Sequence, residues 1–199
     1  MVLATSTLAR LVQDNNMSLL RKNIRGASID LRIDDIAHIR TDTTPLVLSN
    51  TDKPDELLFG RLTEVDLAKG FQLEPGQYLY GKAFESITIP NNMCGFVFPR
   101  SSFARIGLIL PISCYANPGY HGNLPLIIHN ASPVPVEIPP YYRVAQLVYC
   151  EILGDAIEYD AQLDAKYQNE EHQALASLDD VELESSRKLT EQDIIELLK

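Results

Sequence analysis

From residue 75 to residue 151 the sequence alternates short apolar runs, rich in β-branched and aromatic residues, with turn residues, and this spacing constrains the fold more than any other feature. PGQYLYGKAFESITIP (75–90) opens on a turn and continues as a strand-forming run; Asn91-Asn92 breaks it and CGFVFP (94–99) resumes it. VPVEIPPYYRVAQLVYCEI (134–152) reads as two strands about the Pro139-Pro140 turn. Strands at this spacing, with few helical stretches between them, predict an all-β barrel or sandwich. Ahead of them, Leu8, Leu11 and Val12 follow a Ser6 or Thr7 cap and predict a short N-terminal helix within residues 6–20. IRGASIDLRI (24–33) predicts a strand in which Gly26 permits close backbone approach. Its one acidic residue, Asp30, reads as a structural carboxylate bonded to backbone or to an arginine. Residues 40–69, punctuated by Pro45 and Pro54 beside Asp55 and Glu56, predict a long excursion with short strands.

With 199 residues, 45% hydrophobic and 22% charged, the chain is long enough for a real core and is read as one β domain over 1–170. Residues 171–199 read as an acidic extension, in which Ile194, Ile195, Leu197 and Leu198 after Thr190 and Glu191 predict a C-terminal helix. No apolar run is long enough for a bilayer and no signal core follows a basic start, so a cytoplasmic protein with no membrane partner is expected. Cys94, Cys114 and Cys150 are odd in number and lie in strand-like runs, which predicts buried free thiols rather than disulfides or a zinc site. A formal net charge of −10 argues against nonspecific nucleic-acid binding. It leaves room for a local basic pocket.

Such a pocket is offered by residues 99–130, PRSSFARIGLILPISCYANPGYHGNLPLIIHN, where polar residues gather at the ends of apolar runs and predict a site carried on rigid strands. Arg100 and Arg105 present forks of donors suited to phosphate oxygens, and the hydroxyls of Ser101 and Ser102 donate or accept. An anion is the natural ligand, against the plainer alternative that each arginine pairs with one of the chain's many carboxylates.

PRSSFARIGL (99–108) resembles the RSSLARLGL-type segment of dCTP deaminases, members of the dUTPase-like superfamily. Three more segments fall in that family's order: IRGASIDLRI resembles its GA-(S/T)-x-DLR-(L/I) segment, NPGYHG (117–122) its DPGW-x-G turn, and YDAQLDAKYQNE (159–170) a tail with a tyrosine seven residues before a lysine. The resemblance implies a dUTPase-like distorted β-barrel or jelly roll. It also implies a homotrimer with sites between subunits, and zinc-independent hydrolysis of dCTP to dUTP with Mg2+ carried on the triphosphate. The His-x-Glu and Pro-Cys-x-x-Cys arrangement of zinc-dependent deaminases is absent from the sequence.

Carried over by position, the resemblance implies that Ser101 bonds near the pyrimidine amino group. Arg100, Ser102 and Arg105 hold triphosphate or orient the site, and Tyr120 covers the deoxyribose. Tyr159 and Lys166 close from the tail, where Glu170 replaces a usual glutamine. Ser101, Arg105 and Asn117 fall in the catalytic constellation. Two positions depart from it. The family's proton-transferring glutamate, nine residues after the turn proline, is Ile127, which moves no protons; and the turn aspartate is Asn117, which keeps hydrogen bonds and loses basicity. His129 shares a strand face with Ile127 and is either a substitute base or a histidine bonded at a strand end, about 7 Å from the position to be replaced. At the Pro139-Pro140 turn the family's usual glycines are Tyr141 and Ala145, which predicts a differently built turn, while Gln146 and Leu147 match. Three functions follow: dCTP-deaminase chemistry with an altered water-activating group, to which the resemblance commits first; an inactive deoxynucleotide-binding sensor or regulator; and a dUTPase, favoured by the tyrosine of the turn and opposed by Asn117 and by the lack of a glycine-rich C-terminal arm.

Overall fold

Alternation of buried and outward side chains builds two antiparallel sheets in the computed structural model, which describes residues 1–41, 43, 62–111, 115–157 and 159–161. One sheet has the order β1 (Ile29–Arg32), β11 (Arg143–Glu151), β6 (Met93–Pro99), β8 (Tyr115–Ala116). The other runs β3 (Leu62–Asp66), β2 (Ile36–Arg40), β5 (Tyr78–Thr88), β9 (His121–Asn130), β7 (Leu108–Ile109). A short pair joins β10 (Val136–Glu137) to β4 (Gln72–Leu73). Inward residues of both sheets, among them Leu31, Leu147 and Tyr149 on one and Leu79, Leu126 and Ile128 on the other, form one hydrophobic cluster. The strict alternation of burial along β5 and β9 is the period-2 pattern of strands with one face on a core. The fold is mainly β, as the turn spacing predicts.

The N-terminal helix, α1 (Thr5–Asp14), buries Leu8 and Leu11, but its N-cap is Ala4 and neither Ser6 nor Thr7 caps it. The chain enters the helix early because Thr5 is tied to the segment before β1, its N–H donating to Gly26 O at 2.9 Å and its hydroxyl to Arg25 O at 2.8 Å. The helix stops at Asp14 rather than reaching residue 20. Asn16 takes a left-handed φ of 50° and Met17 N–H donates back to Val12 O, a Schellman closure that turns Met17 into the core. Gly26 does not serve close packing, since nothing lies within 4 Å of a Cβ built there. In the stretch 40–69, β3 and a 3₁₀ turn, Leu67–Lys69, are described; 42 and 44–61 lie outside the described residues.

The turn between β10 and β11 keeps the backbone that a glycine would favour. Tyr141 has φ 59°, held there by its N–H donating to Ile33 O at 2.8 Å, while Ile33 N–H donates to Tyr142 O at 2.9 Å. The expectation of a differently built turn is therefore corrected. A non-glycine residue occupies the left-handed conformation, and its ring contributes contacts glycine lacks, a hydroxyl bond to Asp35 at 2.8 Å and an edge contact with Phe84. That bond raises the Tyr141 phenol above its ordinary value.

Cys94 and Cys150 are free and face each other across β6 and β11. Burial, then the neighbouring Cys150, pushes the Cys94 thiol up, so it is a poor thiolate. Cys114 lies outside the described residues.

Tyr149 is fully buried, donates its hydroxyl to Thr88 O at 3.1 Å, and has its phenol pushed far above the ordinary value of 10.0 by burial. A group whose pKa rises on folding contributes stability that is complete below the unfolded value and is lost as pH climbs through the folded one. Tyr149→Phe is expected to cost about 1 kcal/mol at neutral pH. Above about pH 10 the variant should lose stability less steeply than wild type. Parallel alkaline denaturation curves would refute this account of Tyr149.

Candidate functional site

PRSSFAR does not continue a strand. After Pro99 the chain forms a five-residue helix, α2 (Ser101–Arg105), so the expectation of a site carried wholly on strands is corrected. Arg100 is its N-cap, with its N–H on Val144 O at 3.0 Å. Phe103 anchors the helix, 4% exposed and 5.7 Å from the ring of Tyr142. Burying a phenylalanine contributes about 1.5–3 kcal/mol, enough to hold a helix too short to persist alone. With that anchor inward, Ser101, Ser102 and Arg105 are exposed. Gly107 ends the helix at φ 83°, where a Cβ would meet Ser132 at 2.9 Å. The buried Asn130 fixes that neighbouring loop, its amide donating to Leu73 O and Val134 O and its carbonyl accepting from Ser132.

NPGYHG forms the tight turn its sequence predicts: Pro118 precedes Gly119 at φ 79°, and Tyr120 N–H donates to Asn117 O at 3.2 Å. Tyr120 is 4% exposed and its ring meets that of Tyr159 at 6.2 Å. Tyr159, in a 3₁₀ turn (Tyr159–Ala161), donates its N–H to Pro118 O at 2.9 Å and is 7% exposed. The structure thus brings Asn117, Tyr120 and Tyr159 together within one chain. Lys166, Glu170 and the predicted extension at 171–199 lie outside the described residues.

The α2 group and the turn group are not together. β8 pairs with β6 at Gly95 and Phe96, placing the turn beside the start of β6, whereas α2 follows its end. Five residues of regular strand between Gly95 and Arg100 amount to roughly 17 Å.

Ile127 and His129 share the outward face of β9, as the strand period predicts. Ile127 is paired with Tyr80 across β5, and His129 with Tyr78, whose ring stacks on the imidazole at 4.3 Å and 16°. Burial raises the Tyr80 phenol, which stays protonated at neutral pH and is no base. His129 is a stacked histidine near the end of its strand. Among the described residues no group of three or more His, Cys, Asp or Glu is arranged to hold a metal ion, and no helix is long and apolar enough to cross a membrane.

Asp30 is fully buried and gathers arginines, as expected of a structural carboxylate. Its Oδ2 accepts from Arg25 Nε at 2.7 Å and Arg143 Nη1 at 3.1 Å, its Oδ1 accepts from Gln146 Nε2 at 3.1 Å, and Arg100 Nε lies 3.8 Å from Oδ1. Neither Arg25 nor Arg143 stands out in the sequence. The one available signal was that Arg25 lies in the IRGASIDLRI segment beside the acid it meets.

The two antiparallel sheets, the Pro-Gly turn and the RSSFAR helix define a protein of the dUTPase-like superfamily. A family model described as dCTP deaminase-like matches residues 2–152. The dCTP deaminase of Haemophilus ducreyi is 32% identical over 158 residues, covering 74% of this chain and 80% of that protein. The dUMP-forming dCTP deaminase of Dictyoglomus thermophilum is 29% identical over 153 residues, covering 75% and 78%. The solved 2'-deoxycytidine 5'-triphosphate deaminase of Agrobacterium tumefaciens has the same fold, with a TM-score of 0.61 at 23% identity over 74% of this chain; the match spans 48% of that longer chain. The chain belongs to the dCTP deaminase-like family.

Proposed function

We propose that this chain binds a pyrimidine deoxynucleoside triphosphate at sites completed between the subunits of a homotrimer, on a scaffold built to hydrolyse the amino group of dCTP, and that deamination by the unaltered chain is slow or silent. The observation that carries the binding half is α2: one buried phenylalanine holds a helix that presents Ser101, Ser102 and Arg105 outward next to Arg100. The separation of α2 from the Asn117 turn supports a site shared between copies, because a nucleotide reaching both groups needs the second from a neighbour. Sedimentation of a clean monomer at micromolar concentration would count against the trimer. Mg2+ would ride on the triphosphate oxygens.

The slow or silent half rests on Ile127. Water must lose a proton as it attacks the ring carbon and the departing ammonia must gain one, and the face around Ile127 offers an aliphatic chain, a protonated phenol and a stacked imidazole. This also favours the second reading, a deoxynucleotide-binding sensor or regulator of the same fold. The dUTPase reading has Asn117 against it. Incubating purified protein with dCTP or dUTP and Mg2+, and separating dUTP and dUMP from substrate, tests all three; dUMP is included because the Dictyoglomus relative is named as forming it.

Arg105→Ala is expected to weaken dCTP binding by about 2–5 kcal/mol, the cost of removing a charged donor from a phosphate site closed by a second subunit. Calorimetry giving equal affinity for wild type and variant would remove Arg105 from the site.

A further inference from the structure

Two of the chain's three cysteines stand directly opposite each other on neighbouring strands, Cys94 on β6 and Cys150 on β11. Val97, Leu147 and Tyr149 belong to the core, so the strand period of two turns both thiols to the outward face of the four-stranded sheet, on the same side. Cys94 is buried and Cys150 half-buried. The backbone bonds fix what kind of pair they form. In an antiparallel ladder, opposed residues alternate between pairs that exchange both N–H···O bonds and pairs that exchange none. On this register Arg100 N–H donates to Val144 O at 3.0 Å and Ile152 N–H to Asn92 O at 3.0 Å, and counting in twos from either end reaches Cys94 with Cys150. At the other edge of β11, Leu3 N–H donates to Tyr149 O at 3.1 Å and Glu151 N–H to Met1 O at 2.9 Å, which leaves the N–H and C=O of Cys150 directed at β6. Cys94 and Cys150 are therefore a hydrogen-bonded pair.

Such a pair sets its Cα atoms about 5.5 Å apart, inside the range that a disulfide spans, but its Cβ atoms also lie about 5.5 Å apart, where a relaxed disulfide has about 3.8 Å. Joining the sulfurs draws the two residues together against the ladder, and a bond closed in that way is strained and easily reduced. Movement there does not stay local. Gly95 pairs with Ala116 and is packed so closely that a Cβ built on it would lie 3.2 Å from the Ala116 Cβ. Ala116 ends the two-residue strand β8 and precedes Asn117.

We propose that Cys94 and Cys150 are a thiol modification site that closes reversibly into a strained intrachain disulfide, and that closure displaces the Asn117 turn through Gly95 and Ala116. The oxidant is a low-molecular-weight disulfide of the glutathione class. The thiolate of Cys150, the more exposed of the two, attacks one of its sulfurs; the S–S bond breaks and one glutathione leaves as thiolate. Cys94 then gives its proton to water, its sulfur attacks Sγ of Cys150, and the second glutathione leaves. The protein loses two electrons and two protons, and glutathione disulfide becomes two glutathione thiols. Cys94 is suited to the second step, because burial keeps its thiol protonated until a mixed disulfide beside it offers an intramolecular target. None of this depends on nucleotide binding.

The test incubates the full chain with glutathione disulfide and follows intact mass and peptide maps, in wild type, in Cys114→Ser, and in Cys114→Ser combined with Cys94→Ser or with Cys150→Ser. Cys114→Ser should lose two hydrogens, and wild type should yield the same Cys94–Cys150 peptide. With Cys94→Ser added, the reaction should stop with one glutathione on Cys150. With Cys150→Ser added, glutathione should reach Cys94 about ten-fold more slowly. In glutathione with about a hundred-fold excess of the reduced form, the bridged protein should return to the dithiol. Amide exchange at residues 115–117 should change about two-fold or more on bridging and not respond to the oxidant when Cys94→Ser is present. If a serine variant does not fold, the peptide map of wild type decides the pairing. A bridge that includes Cys114, or no bridge, would overturn the site. A bridge that survives reduced glutathione would overturn the strain and make the bond a structural staple, and exchange at 115–117 untouched by bridging would overturn the coupling to the turn.

Discussion

Ile127→Glu combined with Asn117→Asp is expected to bring out dCTP deamination about 10²–10⁴-fold faster than that of the unaltered chain, the usual contribution of a positioned general base. Position 127 already points to the outward face of β9 beside Tyr80 and Tyr78, so a carboxylate there needs no change of register. Asn117 lies in a turn fixed by backbone bonds, where an aspartate has nearly the same shape and the same acceptors. The new glutamate enters a half-buried site next to an aromatic ring and costs stability, so thermal unfolding of the variant must be compared first. A folded double variant with no deamination would place the defect in the surrounding shell rather than in the missing carboxylates. Rapid dCTP turnover by wild type, unaffected by His129→Ala, would overturn the account of the missing base altogether.

Glu85→Ala is expected to cost about 3–5 kcal/mol, the largest single loss of stability foreseen for this fold, because it strands a cation in the interior. Glu85 is fully buried. Its Oε2 accepts from the backbone N–H of Arg32 at 2.8 Å, and its Oε1 from Arg32 Nε at 2.6 Å and Asn23 Nδ2 at 3.2 Å. Arg32, 15% exposed, also lies 4.5 Å over the ring of Phe84. The carboxylate occupies the register shift between Lys82 and Ser86, where β5 steps out of its pairing with β9, and uses that break to tie β1 and the Asn23 segment to the second sheet. Urea unfolding should show the midpoint falling with the slope unchanged. Arg32→Met added to Glu85→Ala should return part of the loss by removing the unpaired charge. A loss below about 1 kcal/mol would mean that water reaches the pair and that it behaves as a surface ion pair.

Where the sequence was informative, the information was local or periodic. The turn residues around 75–99 and 134–152 marked β5, β6, β10 and β11 because Pro, Gly and Asn set backbone angles within a few residues of themselves. The common outward face of Ile127 and His129 followed from the two-residue strand period, and Asp30 was recognisable as a structural carboxylate because one acid in an apolar run needs a partner. The motif strings identified the family from their order along the chain.

Tertiary structure decided what depended on contacts between distant segments. α2 exists because Phe103 reaches Tyr142, a contact that no propensity over five residues encodes, and the sequence alone extended the strand character of Pro99 into it. Tyr141 holds a left-handed backbone because its N–H bond to Ile33 O and the return bond from Ile33 N–H to Tyr142 O outweigh its own preference, which read locally as a different turn. Arg25 and Arg143 became a pair only when β1 and β11 aligned Asp30 with Gln146. The sequence determined the strands, the turn chemistry and the family. The structure decided which charges meet, because strand pairing across the sheet is a property of the whole chain and the sequence spacing of two residues carries no information about it.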